Sequence, residues 1–472
     1  MALPLSDAVK APTSGLIDVA DLIDQLPIGR FQIRLLLICA SVLFMDGFDT
    51  QAIGYVAPDL LRDLRLPRAA LGPIFSAGLL GLMIGALALG PLADRVGRKH
   101  IIVFSAAAFG LGTLVTALAS DSTMLIVLRF LTGIGLGGAM PNAVALTSEF
   151  SPQYRRATMI MIMFGGFSVG AAIGGLIAAA LIPAFGWRAV FLVGGAAPLA
   201  CVPLLLRYLP ESVRFLVLSG GSQAAVAALL TSTFPRHAIP LGARFAIHEP
   251  KLPGIPVAHL FSQGRTRSTI LLWVLFFASL LDLYFLSNWL PTVLNDLGAS
   301  ISLAASIGAM LQIGGVAGIV TLSRFIDRFS FRALSLTYFL ASLAVAAIGF
   351  AGHSILGAAL AIFAAGFCIV GGQCGSNALA AECYPTSARA TGVGWALGIG
   401  RVGSIVGPLL GGMLLALHWT TQSLFLIAAV PAICGATAAW ALSRIAPRAA
   451  FNTSLDVPRS AAPTPNATKS PE

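Results

Sequence analysis

Two carboxylates, Asp46 and Asp49, stand three residues apart in Phe44-Met45-Asp46-Gly47-Phe48-Asp49, inside an otherwise apolar run. That spacing puts both on one face of a helix. An ionised side chain at bilayer depth costs roughly 2.5 to 3.5 kcal/mol on insertion scales, so acids placed there face a cavity or a partner and mark an ion or substrate path. Arg129 is a matching cation. At ~1.5 Å per residue Asp49 lies about 22 Å beyond Arg34, and Arg129 about 12 Å inward from Asp121 on a helix running the other way, which brings the two to similar depth. One arginine balances one carboxylate and leaves the other free to take and release a proton. Either Asp46, Asp49 and Arg129 form such a proton site, or Asp49 and Arg129 are a structural ion pair between helices.

A further charge, Arg401, falls within Gly398-Ile-Gly400-Arg401-Val-Gly403-Ser404. Its planar fork donates two parallel bonds and suits a carboxylate. Two occupants are open to it: the carboxylate of a small ligand, or Asp282, the evident acid in the apolar runs of the second half. Other chemistries find no footing. The six cysteines fall in or beside apolar runs without a C-x-x-C and read as small packing residues. The histidines sit near loops without metal-ligand spacing, so no metal and no cofactor is expected. Gly133-Ile-Gly135-Leu-Gly137-Gly138 spells a nucleotide-binding motif, yet it lies inside an apolar run and not after a strand. Its glycines, like the Gly170/Gly174 and Gly403/Gly407 spacings, point to close helix contact. With no Walker lysine and no constellation of nucleophile and base, neither ATP-driven transport nor an enzyme is expected.

These residues need elements to hold them. Of 472 residues 57% are hydrophobic and 10% charged, against about 25% charged in soluble domains. Apolar runs of about 20 residues recur, the length at which a helix crosses a ~30 Å hydrocarbon core with its backbone satisfied. Twelve spans are counted: 34–55, 71–92, 101–119, 124–148, 158–181, 188–209, 269–290, 303–325, 334–350, 355–381, 391–417 and 423–442. The fold class is therefore an all-α polytopic membrane protein. Residues 1–33 form a lead-in, 34–209 and 269–444 two six-helix halves, 210–268 a central polar loop, and 445–472, rich in Pro, Ser, Thr and Ala, a disordered tail. No cleavable signal is expected, since 1–27 is polar before the first apolar run. The net charge of +10 is unevenly placed: Lys and Arg concentrate on alternate connections, which puts both termini and the central loop on the cytoplasmic side. The partner this basic balance implies is the lipid bilayer and not nucleic acid. The first outer loop, with Arg62, Arg65 and Arg68, is an exception to that rule.

The halves repeat at a constant offset of 233 residues: Asp49 and Asp282, Pro58 and Pro291, Asp94 and Asp327, Arg95 and Arg328, Glu149 and Glu382, Arg156 and Arg389, Gly170 and Gly403. Parallel repeats place the substrate between halves at mid-membrane and rock one half against the other.

Gly90-Pro-Leu-Ala-Asp94-Arg95-Val-Gly97-Arg98-Lys99 resembles the signature loop of the major facilitator superfamily, with a weaker copy at Ser323-Arg-Phe-Ile-Asp327-Arg328. Asp46-Gly47-Phe48-Asp49 followed by Gly54-Tyr-Val-Ala-Pro58 is similar to its aromatic acid:proton symporters. The resemblance covers essentially the whole chain. It implies the twelve-helix major facilitator fold, a benzoate-like carboxylate and protons as cargo, a bacterial inner-membrane location, a monomeric functional unit, and a central arginine in the eleventh span, where Arg401 stands.

Under that resemblance Phe48, Trp289, Phe164, Phe167 and Trp395 are stacking candidates for a ring or packing residues, and Asn142, Gln312, Gln373 and Asn377 bond a ring hydroxyl or bridge helices. The loop charges Asp94, Arg95, Arg98, Lys99, Glu149 and Arg156, with Gly90, and the copies Asp327, Arg328, Glu382 and Arg389, form a conformational latch made in one rocked state, or merely fix topology. Competing cargoes remain. Pro210-Glu211-Ser212-Val213-Arg214-Phe215-Leu216 is similar to a sugar-porter segment, although the first-span acids and Arg401 suit a proton-coupled anion better. A drug:proton antiporter is disfavoured because Gly170 is followed by Ala171 and not proline, and a non-transporting receptor because no added soluble domain is evident.

Overall fold

The computed structural model describes residues 16–24, 28–219, 223–233, 244–246, 257–262, 264–351, 354–384 and 386–445. In chain order the elements are β1 (Leu16–Asp18), α1 (Val19–Asp24), α2 (Arg30–Asp63), α3 (Leu71–Val96), α4 (Arg98–Thr116), α5 (Ser122–Gly137), α6 (Ala139–Glu149), α7 (Gln153–Phe185), α8 (Trp187–Tyr208), α9 (Val213–Leu218) and α10 (Gln223–Thr233). They continue with β2 (Arg244–Ala246), α11 (Thr266–Asp296), α12 (Ile301–Phe329), α13 (Phe331–Phe350), α14 (Ile355–Glu382), α15 (Thr386–Ala416) and α16 (Thr421–Ile445). Among the described residues, twelve helical stretches are long and apolar enough to cross a membrane.

Each expected span is there, and most run on past it because helix continues into the polar margins. The fourth is broken into α5 and α6 at Gly138. Pro141, one turn on, has no N–H to give the Gly137 carbonyl, which interrupts the ladder there. The lead-in and central loop hold more order than expected: Leu16–Asp18 pairs in parallel with Arg244–Ala246, a two-stranded ribbon beside an otherwise helical chain. The ribbon joins the lead-in to the central loop on one face, termed here the loop face. The expectation of a disordered tail falls on residues outside those described, apart from Ile445.

Packing follows the repeat. α2 lies on α7 as α11 lies on α15, α3 on α5 as α12 on α14, and α4 on α8 as α13 on α16. Glycines set the closest approaches: a Cβ on Gly170 would land on the Phe44 carbonyl, and one on Gly403, its repeat mate, on the Phe277 carbonyl. Gly133 meets Gly78 of α3 in the same way, so the nucleotide-like run is a helix contact.

Between halves the contacts cross over, α7 against α12 and α3 against α15, with α2 beside α11. One apolar cluster spans both halves toward the far face, running from Leu60 and Ile74 to Trp289 and Leu290. Toward the loop face the core divides in two, one cluster around Leu43, Phe109 and Leu146, the other around Leu275, Leu334 and Leu442. Burial thus binds the halves at the far face and leaves each with its own core at the loop face.

Candidate functional site

The acidic stretch sits midway along α2, where Asp46 and Asp49 are both fully buried. Asp49 turns into the first half. Its Oδ2 is 3.3 Å from Arg129 Nη1, and its Oδ1 accepts a bond from the Thr113 hydroxyl. Arg129 also donates to Thr116 Oγ1 at 3.3 Å and lies 4.9 Å over the Phe191 ring. The cation therefore meets a carboxylate, a hydroxyl and a π face, which together offset its burial. α4, α5 and α8 supply these partners around one turn of α2. A cavity of ≈ 20 Å³, water-sized, opens beside the pair and is lined by Asp49, Thr50, Arg129 and, from the second half, Asn288.

Asp46 is held differently. Its Oδ1 accepts from Thr50 at 3.0 Å, one turn along α2, while Oδ2 has no hydrogen-bond partner. The two acids do not share Arg129: Asp49 bonds it, whereas Asp46 bonds Thr50 and lies within electrostatic reach of Arg401. Arg401 projects from the middle of α15, half-buried, with Nη1 donating to the Tyr284 hydroxyl of α11 at 3.2 Å and Nη2 3.5 Å from Met140 Sδ of α6. It thereby touches both halves. Asp282, the alternative occupant of its fork, is not paired with it, and both Asp282 oxygens lack a hydrogen-bond partner.

The neutral candidates scatter. Phe48 is 5% exposed and packs beneath Gly174 and Gly194 inside the first half. Of the two readings the sequence left open for it, ring stacking or packing, this placement is the packing one. Trp289 makes an edge contact with Phe75 and donates to the Pro408 carbonyl at 3.1 Å, joining the halves near the far face. Trp395 is 43% exposed and stacks on Trp273 at 5.9 Å. Phe164 and Phe167 pack on the first half's loop-face core. Asn142 is buried and donates to the Gly138 carbonyl in the broken turn at 2.8 Å. Gln312 is buried on α12. Gln373 donates to Asn377 at 3.4 Å along α14, with Oε1 unpartnered.

On the loop face, Arg98 pairs closely with Glu149 and more distantly, at 3.7 Å, with Asp94, whose side chain is 67% exposed. The N-terminus of α4 is met by Glu211, which accepts from the Lys99 amide at 3.2 Å. Lys99 Nζ caps the Leu206 carbonyl at 2.8 Å, Ser212 donates to Glu149 at 2.6 Å, and Arg156 meets Asp24 at 3.5 Å. Glu149 thus serves Arg98, not Arg156. Gly90 leaves open space around its Cα, Arg95 is exposed, and Arg328 is exposed and lies over Phe329. The side chains of Asp327, Glu382 and Arg389 lie outside the described residues. These bonds join parts of the first half to one another, to Asp24 of the lead-in and to Glu211 and Ser212 at the start of the central loop.

On the far face, polar bonds do cross between halves. Arg68 meets Asp296 at 2.6 Å and Arg62 donates to Asn295 at 3.2 Å, while Ser76 and Ser302 donate to the carbonyls of Ile405 and Ala179. This gives two cations of that loop, Arg62 and Arg68, their reason. Sequence reasoning missed Thr113, Thr116, Phe191 and Tyr284, which carry no charge to draw attention, and Glu211, whose segment was read only as a family likeness.

The profile of the family described as the Major Facilitator Superfamily matches residues 39–371 and 272–470. The chain is 43% identical over 432 residues to the gallate transporter of Pseudomonas putida, covering 91% of this chain and 96% of that one. To the 4-hydroxybenzoate transporter PcaK of the same organism it is 41% identical over 419 residues, 88% of this chain and 93% of that one. To the 3-(3-hydroxy-phenyl)propionate transporter of Escherichia coli it is 39% identical over 381 residues, 80% and 86% of the respective chains. Among solved structures, an inward-facing, unoccupied bacterial homolog to the human lysosomal transporter Spinster superposes with a TM-score of 0.68 at 18% identity, covering 89% of this chain and 98% of that one, which establishes likeness of fold.

Proposed function

Since the chain belongs to the Major Facilitator Superfamily, among its aromatic acid transporters, we propose that it is a proton-coupled symporter importing an aromatic carboxylate by alternating access. The observation that carries this reading is the position of Arg401: mid-membrane, touching Met140 of one half and Tyr284 of the other, with the Asp46 charge within its reach. A carboxylate fits the guanidinium fork. While Asp46 is ionised it competes for that cation. A proton on the unpartnered Oδ2 removes the competitor, so substrate and proton are bound together, which is the condition for symport. Thr50 keeps the Asp46 carboxyl oriented, and Asp49, Arg129, Thr113 and Thr116 form the buried support on which α2 carries it.

The relatives' names support the class of cargo: gallate and 4-hydroxybenzoate are both hydroxylated benzoates. For a ring hydroxyl, Asn142, Gln373 and Asn377 are the polar side chains this reading assigns. The loop face is taken as cytoplasmic, the membrane as a bacterial inner membrane and the monomer as the working unit. Charges around Arg98 and Glu149 brace the first half on that face, and the Arg68–Asp296 and Arg62–Asn295 bonds close the far face.

The test is uptake of radiolabelled 4-hydroxybenzoate and gallate into cells or proteoliposomes, with and without a protonophore. Accumulation that collapses with the protonophore, and competition by unlabelled hydroxybenzoates but not by sugars, is the expected result. Accumulation indifferent to the proton gradient, or expulsion of a cationic drug, overturns it.

A further inference from the structure

Asp282 is the repeat mate of Asp49 and occupies the middle of α11, about 24 Å from Thr266 and about 21 Å from Asp296 along the helix axis. It is 1% exposed, and neither carboxylate oxygen has a partner. In the first half Asp49 meets Arg129; the register of the repeat puts Ile362, fully buried on α14, where that arginine would be. The duplication has kept the acid and lost its cation. Near Asp282 lies instead a hydroxyl cluster, which gives it no hydrogen bond in this arrangement. Tyr338 of α13, within electrostatic reach of Asp282, donates to Ser279 at 2.7 Å and lies 3.1 Å from Ser376 of α14. Ser279 is one turn from Asp282 on the same face of α11.

The other titratable groups facing this cluster are few. Cys374 of α14 lies near Tyr338. Arg401 of α15 is turned to Tyr284 and Met140, and the acids Asp46 and Asp49 of α2 to Thr50 and Arg129. Arg444 of α16 and Arg324 and Arg328 of α12 stand near the loop-face ends of their helices. Charge without a counterion or hydrogen-bond donor is not tolerated at such a position, whereas a carboxylic acid is, with its O–H available to a hydroxyl or to water.

We propose that Asp282 is a second proton-carrying site, in the second half, loaded and unloaded through the Tyr338, Ser279 and Ser376 hydroxyls as the halves rock. This rests on the proton-coupled reading above and extends it. The site takes up one proton as the neutral acid on one side of the membrane and returns it as the carboxylate forms in contact with water on the other. A monovalent carboxylate accompanied by the Asp46 proton alone moves no net charge; with a further proton on Asp282 each cycle carries net positive charge inward.

The test uses the full chain in proteoliposomes, with 4-hydroxybenzoate as substrate and the pH gradient and membrane potential imposed separately. Wild type is expected to respond to both, and Asp282→Asn to keep its response to the pH gradient while losing its response to an inside-negative potential. Asp282→Glu, which retains the acid, is expected to restore it. An Asp282→Asn protein as potential-driven as wild type overturns the proposal. So does electroneutral uptake by wild type, which needs no variant and stands even if Asp282→Asn does not fold. Wild type indifferent to both gradients would instead refute proton coupling itself, and so separates the two readings.

Discussion

Replacing Asp49 by Asn removes the charge that holds Arg129 while keeping a side chain of the same shape. Both partners are nearly inaccessible, at 0% and 4% exposure, and the contact is 3.3 Å. At an effective dielectric near 20 that separation corresponds to roughly 5 kcal/mol of attraction. Removing one member of a buried pair costs about 3 to 5 kcal/mol, because the remaining charge is left uncompensated, whereas removing both is often close to neutral. Thr116 and the Phe191 ring remain to Arg129 and hold the loss toward the lower figure. We therefore expect Asp49→Asn to lower the unfolding free energy by about 3 kcal/mol, and Asp49→Asn with Arg129→Gln to recover most of it. The melting of the first half is followed in detergent with a thiol-reactive dye on Cys39, which is buried on α2. A single mutant as stable as wild type, or a double mutant that loses the sum of both singles, would show that the pair is not the support argued here. Uphill uptake by Asp49→Asn is expected to fail together with stability; normal accumulation in a protein that melts normally refutes both claims at once.

Other outcomes follow from the same geometry. Arg401→Lys, which keeps the charge but loses the fork, should raise KM for 4-hydroxybenzoate by about ten- to a hundredfold, since one charge-assisted bond contributes about 1.5 to 3 kcal/mol; an unchanged KM in transport assays argues against a carboxylate clamp. Asp46→Asn should leave substrate exchange running while abolishing accumulation against a gradient, because the competitor for Arg401 is permanently neutral. Gly170→Ala places a methyl on the Phe44 carbonyl and should cost about 1 to 3 kcal/mol, while Gly165→Ala, whose Cβ meets nothing within 4 Å, should be near neutral in the same melt. Asp296→Asn breaks a far-face pair with Arg68 that is partly exposed, worth about 0.2 to 1 kcal/mol, so alkylation of a cysteine placed at Ser76, buried between the halves, should quicken by about 1.5- to 5-fold.

Much of this architecture was legible because the membrane makes composition decisive. A span must be apolar for about 20 residues and must close its own hydrogen bonds, so twelve spans and a repeat at one register could be read directly. The similar height of Asp49 and Arg129 was legible, since helix rise converts residue number into height, but height left open which carboxylate the arginine meets. The break at Gly138 was not foreseen, although Pro141 announces it locally, because the apolar run continues through it. Phe48 shows what position along a helix leaves open. It adjoins both acids in sequence, but a single residue rotates a side chain by a quarter turn or more, and that rotation sends its ring into the first half's core.

By itself the sequence determined the class, the number of spans, the duplication, and the height at which each charge stands, because these depend on length, apolarity and helix rise, all of them local. Which charge meets which is a matter of azimuth and of how helices from distant parts of the chain are arranged side by side. Only the tertiary structure could decide that Asp49 meets Arg129 while Asp46 stands within electrostatic reach of Arg401, that Glu211 meets the N-terminus of α4, and that, among the described residues, Asp282 has no hydrogen-bond partner. The height of a side chain is written along its own helix; its partner is written on another.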